Sequence, residues 1–400
     1  MYSNRKEKVN SIKDGKISDL VCWKQAGKKI AIYCAGMHGK EFRKLLTSCG
    51  IEIDCFIDNN AELQKQIIDG LQCYAPEMIA NNGDYAVIIC AGFEIYNTVY
   101  MTAKSQRILN IIDFRYILDD VIRDRKTYLR LLDERYLSDS ADLFYTNLNK
   151  KIQKKAIPLK IKNQRIALYT AAFGDYDRVY IPKWSAPNID YYYISDVKPS
   201  EISDTQWIDA KRIIPKEISD PIKRNRYVKM KPDQIFPQYE YSIYIDANIQ
   251  VLADITSFIC ESVSGISVFQ HLRRDCLYYE AMTIVNYKRV MPVDVKRQMK
   301  RYLDEGMPLH FGLTEMPVIV REHHNILCKR IMDTWWKEFE DGAQRDQLSF
   351  MYSVWKNGMT INDLALLGNN VRENEKLIFH KHISDSLNIK NEKRSGTYER

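Results

Sequence analysis

Residues 239–251 read YEYSIYIDANIQV. Within that stretch, 241–245 (YSIYI) is aromatic and β-branched with no turn former, the composition of a buried strand. The strand runs straight into Asp246-Ala247-Asn248. On an extended backbone, side chains at i and i+2 point the same way. A hydrophobic strand that delivers a carboxylate and an amide on one side can hold a hard divalent cation and, through it, a diphosphate. Asp and Asn also turn chains at ordinary strand ends, so the meaning of this D-x-N rests on its surroundings.

Upstream, 165–170 (RIALYT) reads as a strand that ends in AAFGDYD at 171–177, and 189–194 as a second strand ending in Ser195-Asp196. A basic, helix-like run from Pro221 carries Lys223, Arg224, Arg226, Lys229 and Lys231 and closes at Pro232. Strand ends that share an edge are where an open α/β sheet binds its ligand. Here they bring Thr170 and Phe173, then Asp196, then Arg226 and Lys229, then Asp246 and Asn248. These are the parts that hold a nucleoside, its ribose, a diphosphate and a metal. Arg226 and Lys229, three apart, fall on one helix face, and a guanidinium offers phosphate a planar fork. Downstream, Glu315 precedes an apolar strand at 318–320, and Asp346 is suited to N-cap a helix-like run through Phe350 and Trp355. The last block of this region is His380-Lys381-His382.

The first 118 residues alternate strand and helix: strands at 29–34, 51–57, 85–90 and 108–112, with helical stretches at 40–49 and from 93 to about 106. That rhythm gives a parallel sheet with helices on both faces. Its first turn is a degraded dinucleotide fingerprint, with Gly36 and Gly39 in place but Cys34 where a first glycine belongs; Asp58 ends the second strand, where an acid meets a ribose. Residues 119–163 read as a helical and then basic connector, with Lys150, Lys151, Lys154, Lys155, Lys160, Lys162 and Arg165 in a gap free of acids. A solvated linker is the first reading of that gap, and contact with anionic lipid the second.

The bulk numbers agree with this division. A 400-residue chain is expected to hold about two or three domains. Its 45% hydrophobic and 28% charged residues are those of a globular protein. The net charge of +7 suits anionic substrates, and no nucleic-acid recognition module accompanies it. No apolar run spans a bilayer and the N-terminus lacks a signal-peptide core, so a cytosolic protein is expected. Nine cysteines without a C-x-x-C pair fit buried, reduced thiols.

The blocks YTAAFGDYD, YYYISD, RNRYVKMKPDQIF, YSIYIDANI, FQHLRRDCLYYEA, GLTEMPVIVREHHN, RDQLSF and IFHKH occur in that order. Together they resemble the glycosyltransferase-like family shared by bacterial envelope proteins and plant mucilage proteins, over residues 165–382. The resemblance implies a GT-A type nucleotide-sugar-binding α/β domain over 164–390, followed by a disordered tail at 391–400. It also implies a divalent metal on Asp246 and Asn248, with His380 or His382 as third ligand; imidazole favours Mn²⁺ over Mg²⁺. Lys381 adds charge at the diphosphate, and His271, Arg273, Arg274 and Asp275 line the acceptor region. Asp346 and Glu315 are the catalytic carboxylates that the resemblance suggests. The implied reaction moves a sugar from a nucleotide donor, by default a uridine diphosphate sugar, to a glycan or lipid-linked acceptor in bacterial surface polysaccharide synthesis, at the inner face of the membrane. The small first domain resembles Rossmann-like domains that accompany sugar-modifying and sugar-transferring enzymes. Two rival readings are a non-catalytic nucleotide- or glycan-binding protein and an NAD-dependent sugar-modifying enzyme built on the first domain.

Overall fold

The computed structural model describes residues 16–134, 156–173, 179–287 and 290–381. The chain forms two compact α/β units, Met1–Leu148 with Arg273–His310, and Asn149–Leu272 with Phe311–Arg400.

The first unit is built on strands β1 (Lys29–Tyr33), β2 (Cys55–Ile57), β3 (Ile67–Ile68), β4 (Leu71–Tyr74), β5 (Tyr85–Ile89) and β6 (Asn110–Asp113). They lie in the order β3-β4-β2-β1-β5-β6, parallel except for the β3–β4 hairpin. The hairpin turns at Asp69-Gly70, both at positive φ, the D-G signature of a tight turn. Ile30, Ile32, Val87 and Ile88 are completely buried, as strands covered on both faces must be. At the β1 turn Cys34 takes φ 87°, the left-handed conformation a glycine would supply. A Cβ on Gly39 would stand 1.9 Å from the Cys34 carbonyl oxygen, so glycine lets the Met37–Ser48 helix close on the turn. The Asp58 carboxylate accepts hydrogen bonds from the Ala35 and Asn60 amides at 2.8 and 2.9 Å. This acid thus stitches the loops beside β1 and β2. Tyr96 and Tyr100, with Lys104, fall on a helix where the two rings stack on each other and pack against the core.

The expected connector begins differently. Two helices, Phe114–Arg123 and Arg125–Glu134, belong to the first unit, with Asp113 capping the first and a break at Asp124. Their apolar sides meet the Arg273–His310 segment, whose Leu277–Asn286 helix is buried at every position. The Tyr128 hydroxyl donates to the Tyr278 carbonyl at 3.0 Å, and Arg125 pairs with Asp304 at 2.9 Å. His310, at φ 53°, lies between Asp119 (2.8 Å) and Asp275 (2.9 Å). Burial opposes charge on this imidazole, but the two carboxylates outweigh it and push its pKa up to about 10.

The second unit contains β7 (Ile166–Ala171), β8 (Ile189–Ser195), β9 (Trp207–Asp209), β10 (Tyr241–Ile245), β11 (Ile249–Val251), β12 (Ile266–Gln270), β13 (Thr314–Glu322), β14 (Ala365–Leu366) and β15 (Leu377–Phe379). Seven make one sheet, β14-β12-β13-β10-β7-β8-β9, while β11 and β15 pair separately. Strands β10, β7, β8 and β9 are mutually parallel, and β13 runs against β10. Alternation along β10 puts Ile243 and Ile245 in one core and Tyr244 in the other. All nine cysteines are free and six are buried.

Two outcomes test this unit-level packing. Gly39→Ala should lower stability by about 1–3 kcal/mol in urea denaturation, because backbone rather than a movable side chain meets the new methyl. His310 has a folded pKa above its ordinary 6.5, so its contribution is fully present below about pH 6.5 and is lost as pH rises through about 10. Urea midpoints should fall across that window in the native chain and stay flatter in His310→Gln.

Candidate functional site

Strand β7 has β8 on one side and β10 on the other, so the chain changes direction across the sheet between β7 and β10. The crevice beyond the carboxyl ends of such a strand pair is where an open α/β sheet receives a ligand. Phe173 follows β7 there, Asp196 follows β8, and Asp246-Ala247-Asn248 follows β10.

The Pro221–Met230 helix is fixed against this edge at both ends. Asp220 caps it by accepting from the Lys223 amide, and Asn225 donates to the Ala171 carbonyl at 2.9 Å. At its far end the Tyr169 hydroxyl donates to the Val228 carbonyl at 3.1 Å. Arg321, fully buried on β13, donates to the Lys229 carbonyl and, at 2.7 Å, to the Tyr169 hydroxyl. A cation at a helix C-terminus is favoured by the exposed carbonyl dipoles. Arg321 follows the apolar run PVIV, and a charge next to so apolar a run is a signal that the sequence did offer.

From this clamped helix Lys229 projects an ammonium that is 3% exposed. It reaches Asp346 at 3.0 Å and Asp246 at 3.6 Å, and lies 5.2 Å from the centre of the Tyr244 ring. Arg226 Nε stands 3.1 Å from the same Asp346 oxygen, an ionic contact without hydrogen-bond alignment. Burial resists ionisation of Asp346, but Arg226, Lys229 and Arg345 override it and hold the carboxyl far below the usual range. Burial likewise disfavours charge on Arg226, and Asp346, Tyr244 and Asp246 more than restore it. Asp346 is not a helix N-cap: it opens a short 3-10 turn, Asp346–Leu348, and the following helix, Phe350–Lys356, is preceded by Ser349. A buried, doubly paired, permanently ionised carboxylate is a poor proton acceptor, which argues against Asp346 as general base.

Asp246 itself is 36% exposed at the side chain. Pairing of β11 with β15 brings His380 to Asn248: the His380 amide donates to the Asn248 carbonyl at 2.8 Å, and the Asn248 amide group donates to the His380 carbonyl at 3.0 Å. Asn248 therefore keeps its side-chain oxygen available. The His380 ring stacks on Tyr180 with centroids 3.8 Å apart, and its Nε2 is buried with no hydrogen-bond partner. Burial, with Lys183 nearby, lowers the His380 pKa and favours the neutral imidazole that ligates metals. One carboxylate, one amide oxygen and one imidazole with an orphan nitrogen fit a divalent ion such as Mn²⁺. Among the described residues no cluster of three or more His, Cys, Asp or Glu is arranged to hold a metal. Tyr180 and Lys183 were not legible in advance; they arrive through the loop after β7.

The remaining candidates are distributed around this centre. Asp196 accepts from Arg224 at 2.8 Å through one oxygen and pairs with it ionically at 2.6 Å through the other, and that guanidinium lies 4.9 Å from the centre of the Phe173 ring. The Thr170 hydroxyl is buried without a partner. Glu315 meets Arg372 at 3.1 Å and His271 at 3.9 Å. Lys381 is exposed beyond β15. Of the expected acceptor residues, only His271 belongs to this unit; Arg273, Arg274 and Asp275 belong to the first, where Arg274 is bound to Glu280 at 2.5 Å and Asp275 to His310. His382, the turn residues at 174–177 and the lysines at 150–155 lie outside the described residues. In the first unit Gly36 and Gly39 lie between β1 and its helix, Gly39 with the packing role given above and Gly36 with open space where a Cβ would stand, and Asp58 reaches that turn from the end of β2.

A family model for the TOD1/MUCI70 glycosyltransferase-like domain matches residues 149–380. That is more than half of the chain, and the chain belongs to this family. Among solved structures, an apo structure of the bifunctional glycosyltransferase WbbM is similar at 11% identity and a TM-score of 0.29, over 53% of this chain and 40% of that one. The chain thus spans less than half the length of that enzyme, and the likeness is too slight to carry residues across. No curated protein matches the chain.

The clamp makes a direct prediction. Arg321→Met leaves the Lys229 carbonyl without its donor and takes the donor from the Tyr169 hydroxyl, which keeps only its bond to Val228, and should destabilise the second unit by about 1–3 kcal/mol in urea denaturation. Arg321→Lys, which keeps the charge but not the fork, should fall between.

Proposed function

We propose that the second unit is a GT-A type glycosyltransferase domain that transfers a sugar from a nucleotide-sugar donor, with a uridine diphosphate sugar as the first candidate. What supports this reading is Asp246 and Asn248 at the end of β10, with Asn248 hydrogen-bonded to the His380 backbone and Lys229 and Arg226 alongside. Family membership supports transferase chemistry at the class level. In this reading Thr170, Phe173 and Asp196 receive the nucleoside, and Arg224 holds the Asp196 carboxylate in one orientation for the ribose. Asp246, Asn248 and His380 hold the divalent ion. When bound, that ion offsets diphosphate charge and stabilises the departing nucleoside diphosphate. Arg226 presents its outward N–H groups, with Lys381 and Lys183, to the same phosphates, while its inner face keeps Asp346 ionised. Glu315, held between Arg372 and His271, is the general base for the acceptor hydroxyl. The acceptor is a glycan or lipid-linked sugar of a bacterial surface polysaccharide, met at the inner face of the membrane. No helix among the described residues is long and apolar enough to cross one.

Donor hydrolysis or transfer, measured across a panel of uridine diphosphate sugars with Mn²⁺, checks this reading. Asp246→Ala should lower kcat by about 10²–10⁴, the scale of a lost several-kcal/mol charge stabilisation, and chelation should abolish turnover. Unchanged turnover in Asp246→Ala would sink the metal-assisted mechanism.

A further inference from the structure

We propose that Lys229 is an internal countercation shared by Asp346 and Asp246, and that Asp346 sets the divalent-metal affinity of the Asp246 end by how much of that charge it holds. This rests on the metal reading above and adds a residue-level control of it.

Lys229 is 3% exposed, so its ammonium depends on protein partners in place of water. Its nearest is Asp346 at 3.0 Å; the second is Asp246 at 3.6 Å. The two carboxylates are not equivalent: the side chain of Asp346 is 8% exposed and that of Asp246 36%. Only Asp246 is open to an incoming ion. Two carboxylates face three cations, Lys229, Arg226 and Arg345, so the group as a whole offers a divalent ion no net negative charge. A dication on Asp246 therefore meets a fixed positive charge on the other side of its ligand, in surroundings where screening is weak. Asp346 relieves that opposition by holding the ammonium toward itself. Neither Lys229 nor Asp346 is a metal ligand in this arrangement; both act on the metal through Asp246.

The two residues should then move metal affinity in opposite directions. Removing the charge of Lys229 removes the opposition. Removing the charge of Asp346 leaves the ammonium to Asp246 alone and strengthens the opposition. A merely structural role gives a loss in both. Mn²⁺ binding to the full chain without nucleotide, read from the electron paramagnetic resonance signal of the free ion, separates these cases. Lys229→Met should bind Mn²⁺ about tenfold tighter than the native chain and Asp346→Asn about tenfold weaker. Circular dichroism and thermal melts monitor the fold of each variant. If Lys229→Met does not fold, the isosteric Asp346→Asn carries the test alone, and an unchanged affinity there overturns the proposal. Shifts in the same direction for both variants overturn it as well. Native binding that Asp246→Ala abolishes but neither variant shifts would reject the countercation and leave the metal site standing. No Mn²⁺ binding to the native chain would reject both.

Discussion

A buried ammonium organises the second unit. Lys229 lies within ion-pair distance of two carboxylates that come from distant parts of the chain, Asp246 after β10 and Asp346 after the Ile326–Asp341 helix. Desolvating a lysine is tolerable only when it is well paired. Once the helix at 221–230 delivers it to the core, both carboxylates must be where they are. The reverse holds too: Asp346 is kept ionised in the interior because Arg226 and Lys229 approach it from consecutive turns of one helix. Arg321 and Tyr169 fix that helix by its last carbonyls, so the register of β13 and β7 against β10 fixes the charges at the sheet edge. Strand pairing and site electrostatics are the same constraint seen at two scales.

Much of this was legible in the residues. The run YSIYI is the strand it reads as, residue for residue, and the basic run from Pro221 is a helix with Asp220 as its cap. Both depend on local composition and on turn or cap chemistry, which sequence carries. The pairing of Lys229 with Asp346 was not legible, because it joins positions 117 residues apart. The expectation that Asp346 caps a helix rested on a local preference that the long-range ion pair overrode. Likewise the spacing of Arg226 and Lys229 places both on one helix face, but burial separates them: Lys229 is enclosed and Arg226 retains a partly open side chain. Solvent exposure is a tertiary property that charge patterning does not give.

The first unit shows the same division. Its fingerprint looked degraded at Cys34, yet the backbone there keeps the left-handed conformation that a glycine would adopt. A non-glycine side chain occupies a glycine-like turn, which a residue pattern alone cannot report. Asp58 has the position of a ribose-binding acid and the hydrogen bonds of a loop brace. The boundary near residue 118 was placed where the strand-helix rhythm ended, but the apolar sides of the next two helices find their partners at 273–310, far outside any sequence window.

That distant partnership has a consequence for the order of events during synthesis. The chain leaves the second unit at Leu272 and returns to it at Phe311, after supplying the first unit with a helix buried on all sides. When residue 148 leaves the ribosome, the first unit still lacks the surface that covers Tyr128 and its neighbours. It must wait, with an apolar face open, until more than a hundred further residues have been made, and β7 and β10 can pair meanwhile. Domains commonly mature from the N-terminus onward; here the unit that emerges first cannot close before residue 310 has been made, and the second, which needs β13 and β15, closes after it. A cut at residue 148 would therefore separate no independent module, because the fragment from 149 onward would carry part of the first unit's interior.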